Sequence, residues 1–458
     1  MRRILIILFV VVLGIGGVYF FYIRPKQNSG SPMPNILKPF FPSSVSNPDG
    51  AFGTDTTTGA VPGTAPVANP LKQLTGHPVA GYTIFSLTST VSIPSTPSSS
   101  PAATSSTGST SSPQDSSGQA SSSRVNPLKA LSVKVSKKTT VAPAPTTLTQ
   151  TVTDHYLRYI SRLNGYVYEI KNGTIPLQIS NIFIPNIYEA QFADSNSTTL
   201  LRFLRSNNQT IATYSMPIPP LNPDGTRTQN SGVYLPDNIL AITVSPDQKL
   251  IARVAADQGG ALVTTSTTAG TGIKTATRSP FKEWLPQWTN NALYLQTKAA
   301  SIADGFLYSI DSSTTRLRRV LGNVAGLTTS VSPSGTYVLY SQSVDGGFVT
   351  KIFNTRTNTT TNLSLIILPE KCVWLHSEDL LCAGNSSVPN GKYPDDWYAG
   401  TMHFSDQLYR INTTSNTYTV LYNDLTQSFD MTNLQVDEGQ GFVYFIDKTT
   451  GYLWQYKY

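Results

Sequence analysis

The chain has 458 residues, with 33 Lys and Arg against 26 Asp and Glu and a formal net charge of +7. Charged residues make up only 13% of it, while Gly, Pro, Ser, Thr and Tyr are plentiful, a composition of short strands and turns. Four of the positive charges, Arg2, Arg3, Arg24 and Lys26, flank one apolar run and leave +3 for everything beyond, which excludes a nucleic-acid footprint.

That apolar run, Ile4 to Ile23, carries no charge and is long enough to cross a hydrocarbon core of roughly 30 Å. A cleavable signal peptide would want a shorter core and small residues before the cut. Here the run ends in Tyr19, Phe20, Phe21, Tyr22 and Ile23, side chains suited to a membrane interface. Residues 1–26 therefore read as a cytoplasmic tip and an uncleaved transmembrane signal anchor, with the membrane engaged through residues 4–23. The slight N-terminal excess of basic residues directs the rest of the chain out of the cytoplasm.

Residues 27–69 are rich in Pro, Gly, Ser and Thr and are predicted to form a disordered stalk. A second low-complexity tract, 89–150, with serine runs at 98–100 and 121–123, is predicted to be a disordered insertion. Between the two lies an island with apolar pieces, residues 71–87, LKQLTGHPVAGYTIFSL.

The remainder repeats. Residues 241–255 read AITVSPDQKLIARVA, 285–298 read LPQWTNNALYLQTK and 328–342 read TTSVSPSGTYVLYSQ, each an apolar strand, a polar turn and a second apolar strand. Ser245, Pro246 and Asp247, and likewise Ser332, Pro333, Ser334 and Gly335, supply turn chemistry. Val244, Trp288, Val331 and Trp374 hold matching positions, 44, 43 and 43 residues apart. A second hairpin comes after each first one, as in GFLYSIDSSTTRLRRVL at 305–321 and DQLYRINTTSNTYTVLY at 406–422. Four antiparallel strands at this period make a propeller blade. The predicted fold is thus an all-β, seven-bladed β-propeller over residues 70–458, with six blades as the alternative count and a sandwich or solenoid as the alternative architecture.

The island completes the strand count. The visible repeats begin at 155–162 without an inner strand, and the last blade, ending at Tyr458, lacks an outer one. Leu71 to Thr75 is predicted to be the outer strand of the final blade and Val79 to Leu87 the inner strand of the first, a clasp that leaves no open edge.

Two places stand out for chemistry. Cys372 and Cys382 lie on the two arms of a hairpin turning near Ser377, opposite one another, so that a cross-strand disulfide or a pair of free thiols are both open readings. The loop NSSVPNGKYPDDWYAGTMHF, 385–404, stretches the interval from Trp374 to Val436 to 62 residues. Its Tyr393, Asp395, Asp396, Trp397 and Tyr398 combine aromatic anchors with acceptors and read as a partner-binding site, or else as a plug holding the loop to the disc.

The histidines, His77, His155, His376 and His403, are dispersed, and no zinc, EF-hand or phosphate-loop spacing is present, so no metal and no cofactor is expected. No Gly-x-Ser-x-Gly elbow is present either.

The Ser-Pro-Asp turns and GFLYSID-type hairpins resemble the TolB-like, WD-repeat-related propellers. The strings PEKCVWL (369–375), YPDDWYAG (393–400), FSDQLYRI (404–411) and PVAGYTIF (78–85) resemble uncharacterised, membrane-anchored propeller proteins of candidate-phylum bacteria. The resemblance implies an envelope location and names no activity. The leading expectation is a non-catalytic interaction module that binds an envelope protein or glycan, with no nucleic-acid partner. The alternative is a glycan-active hydrolase or lyase using Asp395, Asp396 and Asp406, which requires carboxylates converging at roughly 5–10 Å.

Overall fold

The computed structural model describes residues 70–93 and 148–458, apart from positions 223, 377 and 425. The expected span at 4–23, the stalk at 27–69 and most of the serine tract lie outside the described residues. Among those described, no helix is long and apolar enough to cross a membrane.

Seven four-stranded antiparallel sheets make up the described fold. Their inner strands are Val79–Ile93, Ile187–Ala193, Ile239–Val244, Trp284–Trp288, Thr328–Val331, Cys372–Trp374 and Met431–Asp437, which define blades 1 to 7. The repeat marks Val244, Trp288, Val331 and Trp374 are each the last residue of an inner strand, so the sequence period is the blade period. The alternative of six blades is set aside.

Ring closure is visible in the core. Alternation along each strand gives every blade two apolar faces, and a separate buried cluster fills each of the seven seams. Ile160 meets Leu201 between blades 1 and 2, and Leu200 meets Ile251 between 2 and 3. Val254 meets Leu295, Leu307 meets Val338, Leu339 meets Leu380, and Leu381 meets Val443 around the next four seams. Tyr82 and Leu157 meet Tyr444 and Leu453 between blades 1 and 7.

The final blade takes its outer strand from the island. Leu71–Gln73 pairs with Leu453–Lys457 in the register Leu71 to Tyr456, and the chain then returns as the inner strand of blade 1. Inner-strand carboxamides add polar ties between blades. Gln435 donates to Tyr82 O (2.8 Å) and accepts from Ile84 N (3.2 Å), Gln287 does the same with Thr329 O and Val331 N, and Gln191 donates to Ile242 O. Gly81 sits where a Cβ would come within 2.0 Å of Ala190 O, so only glycine lets the inner strands of blades 1 and 2 approach.

One boundary differs from expectation. Residues 89–93 and 148–150, expected in the disordered tract, are strand, the ends of Val79–Ile93 and Leu148–Ser161. Thr90, Val91 and Thr149 are β-branched side chains that favour an extended strand over coil. The described residues 86–93 and 148–155 belong to a unit of their own, in which Ser86 Oγ meets His155 Nδ1 at 2.9 Å and Thr88 meets Thr153 at 3.2 Å.

Candidate functional site

In an antiparallel blade the start of the inner strand and the loop joining the second and third strands fall at the same end. The 385–406 loop of blade 6, running from the end of Asp379–Gly384 to the start of Gln407–Asn412, therefore lies on the face where the inner strands begin. It contains a short helix, Asp395–Ala399, opened by Pro394 and closed by Gly400 at φ 72°, a left-handed stop that glycine adopts without strain.

The loop's aromatic residues point inward. Tyr393 is 1% exposed and Trp397 3%, and both join Phe348, Leu368 and Phe404 in a buried cluster. Of the two readings of the loop, burial at these two positions fits a plug and not exposed anchors. Tyr398 is half-buried and its hydroxyl donates to Glu370. The physical reason is that the loop needs a small core of its own to be held in one conformation, and its largest apolar groups supply it.

Beneath the plug is a buried ionic cluster. Lys371, 1% exposed, ends the 3-10 turn Pro369–Lys371 that leads into the inner strand of blade 6. Its Nζ lies 2.7 Å from Asp406 Oδ2 and pairs with Asp430 Oδ1, and the two carboxylate side chains have no exposure. Trp397 Nε1 donates to both oxygens of Asp430 at 3.1 and 3.0 Å, and Met431 N donates to Asp406 at 2.6 Å. Lys448 of blade 7 donates to Trp397 O and lies over its ring at 4.7 Å. His403, half exposed, stands 3.5 Å from Asp430 at the surface of the cluster.

Burial drives the proton affinities here. It lifts the Asp406 carboxyl to about 7, against the pull of Lys371 and with the help of Asp430. Burial opposes the Lys371 ammonium, but the two carboxylates outweigh it and hold its pKa above the ordinary value. Burial also raises Glu370 and lowers Lys448.

Asp395, Asp396 and Asp406 do not converge on a common space. Asp395 accepts from Ser301 N at 2.8 Å and from the Ser301 hydroxyl in blade 4, Asp396 accepts from Lys392 N at 2.7 Å, and Asp406 is sealed against Lys371. Each carboxylate fixes a different piece of backbone or charge, so this trio lacks the opposed arrangement that glycan cleavage requires. Among the described residues no three His, Cys, Asp or Glu side chains gather as a metal site would need.

Cys372 and Cys382 are directly opposite in the ladder, with Cα atoms 4.1 Å apart, and are joined as a disulfide. Lys371, Glu370, Asp430 and Lys448 were not anticipated. The available signal was a Pro-Glu-Lys immediately before an inner strand, where charged residues have no reason to stand unless paired.

The fold and its clasp define a seven-bladed β-propeller with a loop-capped face. No protein-family model matches the chain, and no curated protein does. Solved structures similar to it include TolB from Acinetobacter baumannii, at 12% identity and a TM-score of 0.38, covering 57% of this chain and 61% of that one. The β-propeller domain of Cps50 (Swd1) from Myceliophteria thermophila matches at 11% identity and a TM-score of 0.41, over 66% of this chain and 93% of that one. An oligogalacturonate lyase in complex with manganese matches at 11% identity and a TM-score of 0.41, over 66% and 85%. The chain thus spans less than two thirds of the TolB structure, and likeness at this level concerns general architecture alone.

Proposed function

We propose that this chain is a non-catalytic interaction module, a β-propeller tethered to the cell membrane through residues 4–23 and displayed outside the cytoplasm, where it binds an envelope protein or glycan. The observation that carries the reading is the fixing of the blade-6 loop by four blades. Ser301 of blade 4 holds Asp395, and Ser343 of blade 5 donates to Tyr393 O. Glu370 of its own blade holds Tyr398, while Asp430 and Lys448 of blade 7 hold Trp397. A loop so fixed loses little entropy on binding, and preorganisation of this kind converts contact area into affinity. Its outward residues, among them Asn390, Lys392, Thr401 and His403, offer donors and acceptors with no large apolar group. Asp395, Asp396 and Tyr398, half-buried, form the margin of that surface.

The uncharged run at 4–23 and the disulfide in blade 6 support the placement outside the cytoplasm. The test is capture from native envelopes with the full-length chain as bait, beside a Lys392→Glu, Thr401→Arg variant. Both substitutions are at exposed positions and should change the melting temperature little, which the same preparation checks. A partner retained by the wild type and lost by the variant supports the loop face. Equal retention by both, or none by either, overturns it.

A further inference from the structure

The seam between blades 2 and 3 holds an unexpected charge. In blade 2, Glu189, Arg202 and Thr213 stand opposite one another on three successive strands and so share a face. In blade 3, Ile242, Arg253 and Thr264 form the same kind of row. Leu200, two residues before Arg202, and Ile251, two before Arg253, meet in one buried cluster with Ile242, so the rows face each other across the seam. Gln191 ties them together, donating to Glu189 Oε1 at 2.8 Å and to Ile242 O at 3.1 Å.

Both guanidinium residues are 4% exposed. Arg202 is partly satisfied: it pairs with Glu189 and donates to Ile239 O at 2.6 Å. Arg253 is not. Its Nε and Nη1 are buried without a hydrogen-bond partner, as are Arg202 Nε and Thr213 Oγ1. These are four of the twelve such atoms among the described residues, all four can donate a hydrogen, and all lie on the two facing rows. Other carboxylates near the seam are engaged elsewhere, Asp194 with Thr268, Asp237 with Arg205, and Asp257 with Arg278.

We propose that this seam is a structural anion site: a small monovalent anion of chloride size, held by Arg253, the free edge of Arg202 and the Thr213 hydroxyl, locks blade 2 to blade 3. Two buried cations facing a single carboxylate leave one unbalanced positive charge. An unpaired charge in such surroundings is expensive, and one small anion removes both the charge and the unmet donors. Burial accordingly depresses the Arg253 pKa. The enclosure of the donors selects for size, since a phosphate or an organic acid needs more room than facing rows about 10 Å apart provide once side chains fill them.

Thermal unfolding of the full-length chain, with chloride exchanged for gluconate at constant ionic strength, tests the site. The wild type should gain about 3 °C over a hundredfold rise in chloride above Kd, and bromide should substitute. Arg253→Met should lose that dependence, and in gluconate should melt no lower than the wild type, because it removes the unbalanced charge. Thr213→Val keeps both charges and should weaken chloride binding severalfold, which keeps the test decisive if Arg253→Met does not fold. Arg205→Met, an exposed guanidinium at the rim of the same blade, should respond to chloride like the wild type. A wild-type melting temperature indifferent to chloride, or Arg253→Met and Thr213→Val variants that both respond as strongly as the wild type, overturns the proposal.

Discussion

Replacing Trp397 by alanine separates a plug from a binding anchor. The side chain is 3% exposed, packs against Tyr398 and Phe404, and donates to both oxygens of a fully buried aspartate. Loss of a buried tryptophan costs about 3–5 kcal/mol, mostly cavity and transfer terms. Asp430 keeps Lys371 as a partner, so the carboxylate is not left bare, and a total of about 4 kcal/mol is expected. At about 1.5 °C per kcal/mol for a chain of this size, the melting temperature should fall by about 6 °C, measured by circular dichroism on the full-length chain. Trp397→Phe, which keeps most of the ring and loses the N–H, should fall by about a third of that. A fall of less than about 2 °C in the alanine variant would show that the cluster of Trp397, Phe404 and Asp430 does not hold the loop.

The cluster, the clasp and the crosslink each set a further outcome. Between pH 3.8, the ordinary carboxylate value, and about 7, folded Asp406 keeps a proton that the unfolded chain releases, so its contribution is complete at low pH and is lost as pH rises through about 7. The stability of wild type relative to Asp406→Asn should therefore grow from pH 8 to pH 5, and parallel melting curves across that range would refute the assignment. Deleting Leu71 to Leu87 removes the outer strand of blade 7 and the inner strand of blade 1 together. The product should aggregate or fail to melt cooperatively, whereas a monomer melting like the parent would show the clasp to be dispensable. Mass analysis without reduction should find the 372 and 382 peptides joined. Reduction should then lower stability by about 2–3 kcal/mol in a denaturant titration, as for a loop of this length, and free thiols at both positions would reject the crosslink.

The architecture was legible because each blade repeats the same local decision. Val244, Trp288, Val331 and Trp374 end inner strands, and turns such as Ser245 to Asp247 come directly after them, so period and hairpin chemistry are written within about ten residues. The clasp was legible by strand arithmetic, since Leu71–Gln73 and the inner strand of blade 1 fill two gaps in an otherwise regular count. The ionic cluster was not. Lys371 meets Asp406 and Asp430 across 35 and 59 residues, so the Pro-Glu-Lys before the inner strand marks a charge that needs pairing without naming its partners. For the same reason the loop's composition allowed two readings, and only the packing of Trp397 on Phe404 decided which way the ring points. Arg202 and Arg253 were hidden likewise, each looking like an outward residue in an alternating strand.

The path of the chain through the clasp has a mechanical side. Everything between residue 1 and the disc enters it at Leu71, on a three-residue strand whose ladder partner is the strand Leu453–Lys457 near the C-terminus. A pull applied from the N-terminal side acts first on those three rungs, and only after they yield on the longer inner strand of blade 1, whose residues 79–83 are buried. The propeller is thereby loaded at its shortest strand. Under tension its first event is the peeling of Leu71 to Gln73 from blade 7, which bares the edge of Leu453–Lys457 to any neighbouring strand while the rest of the ring stays folded.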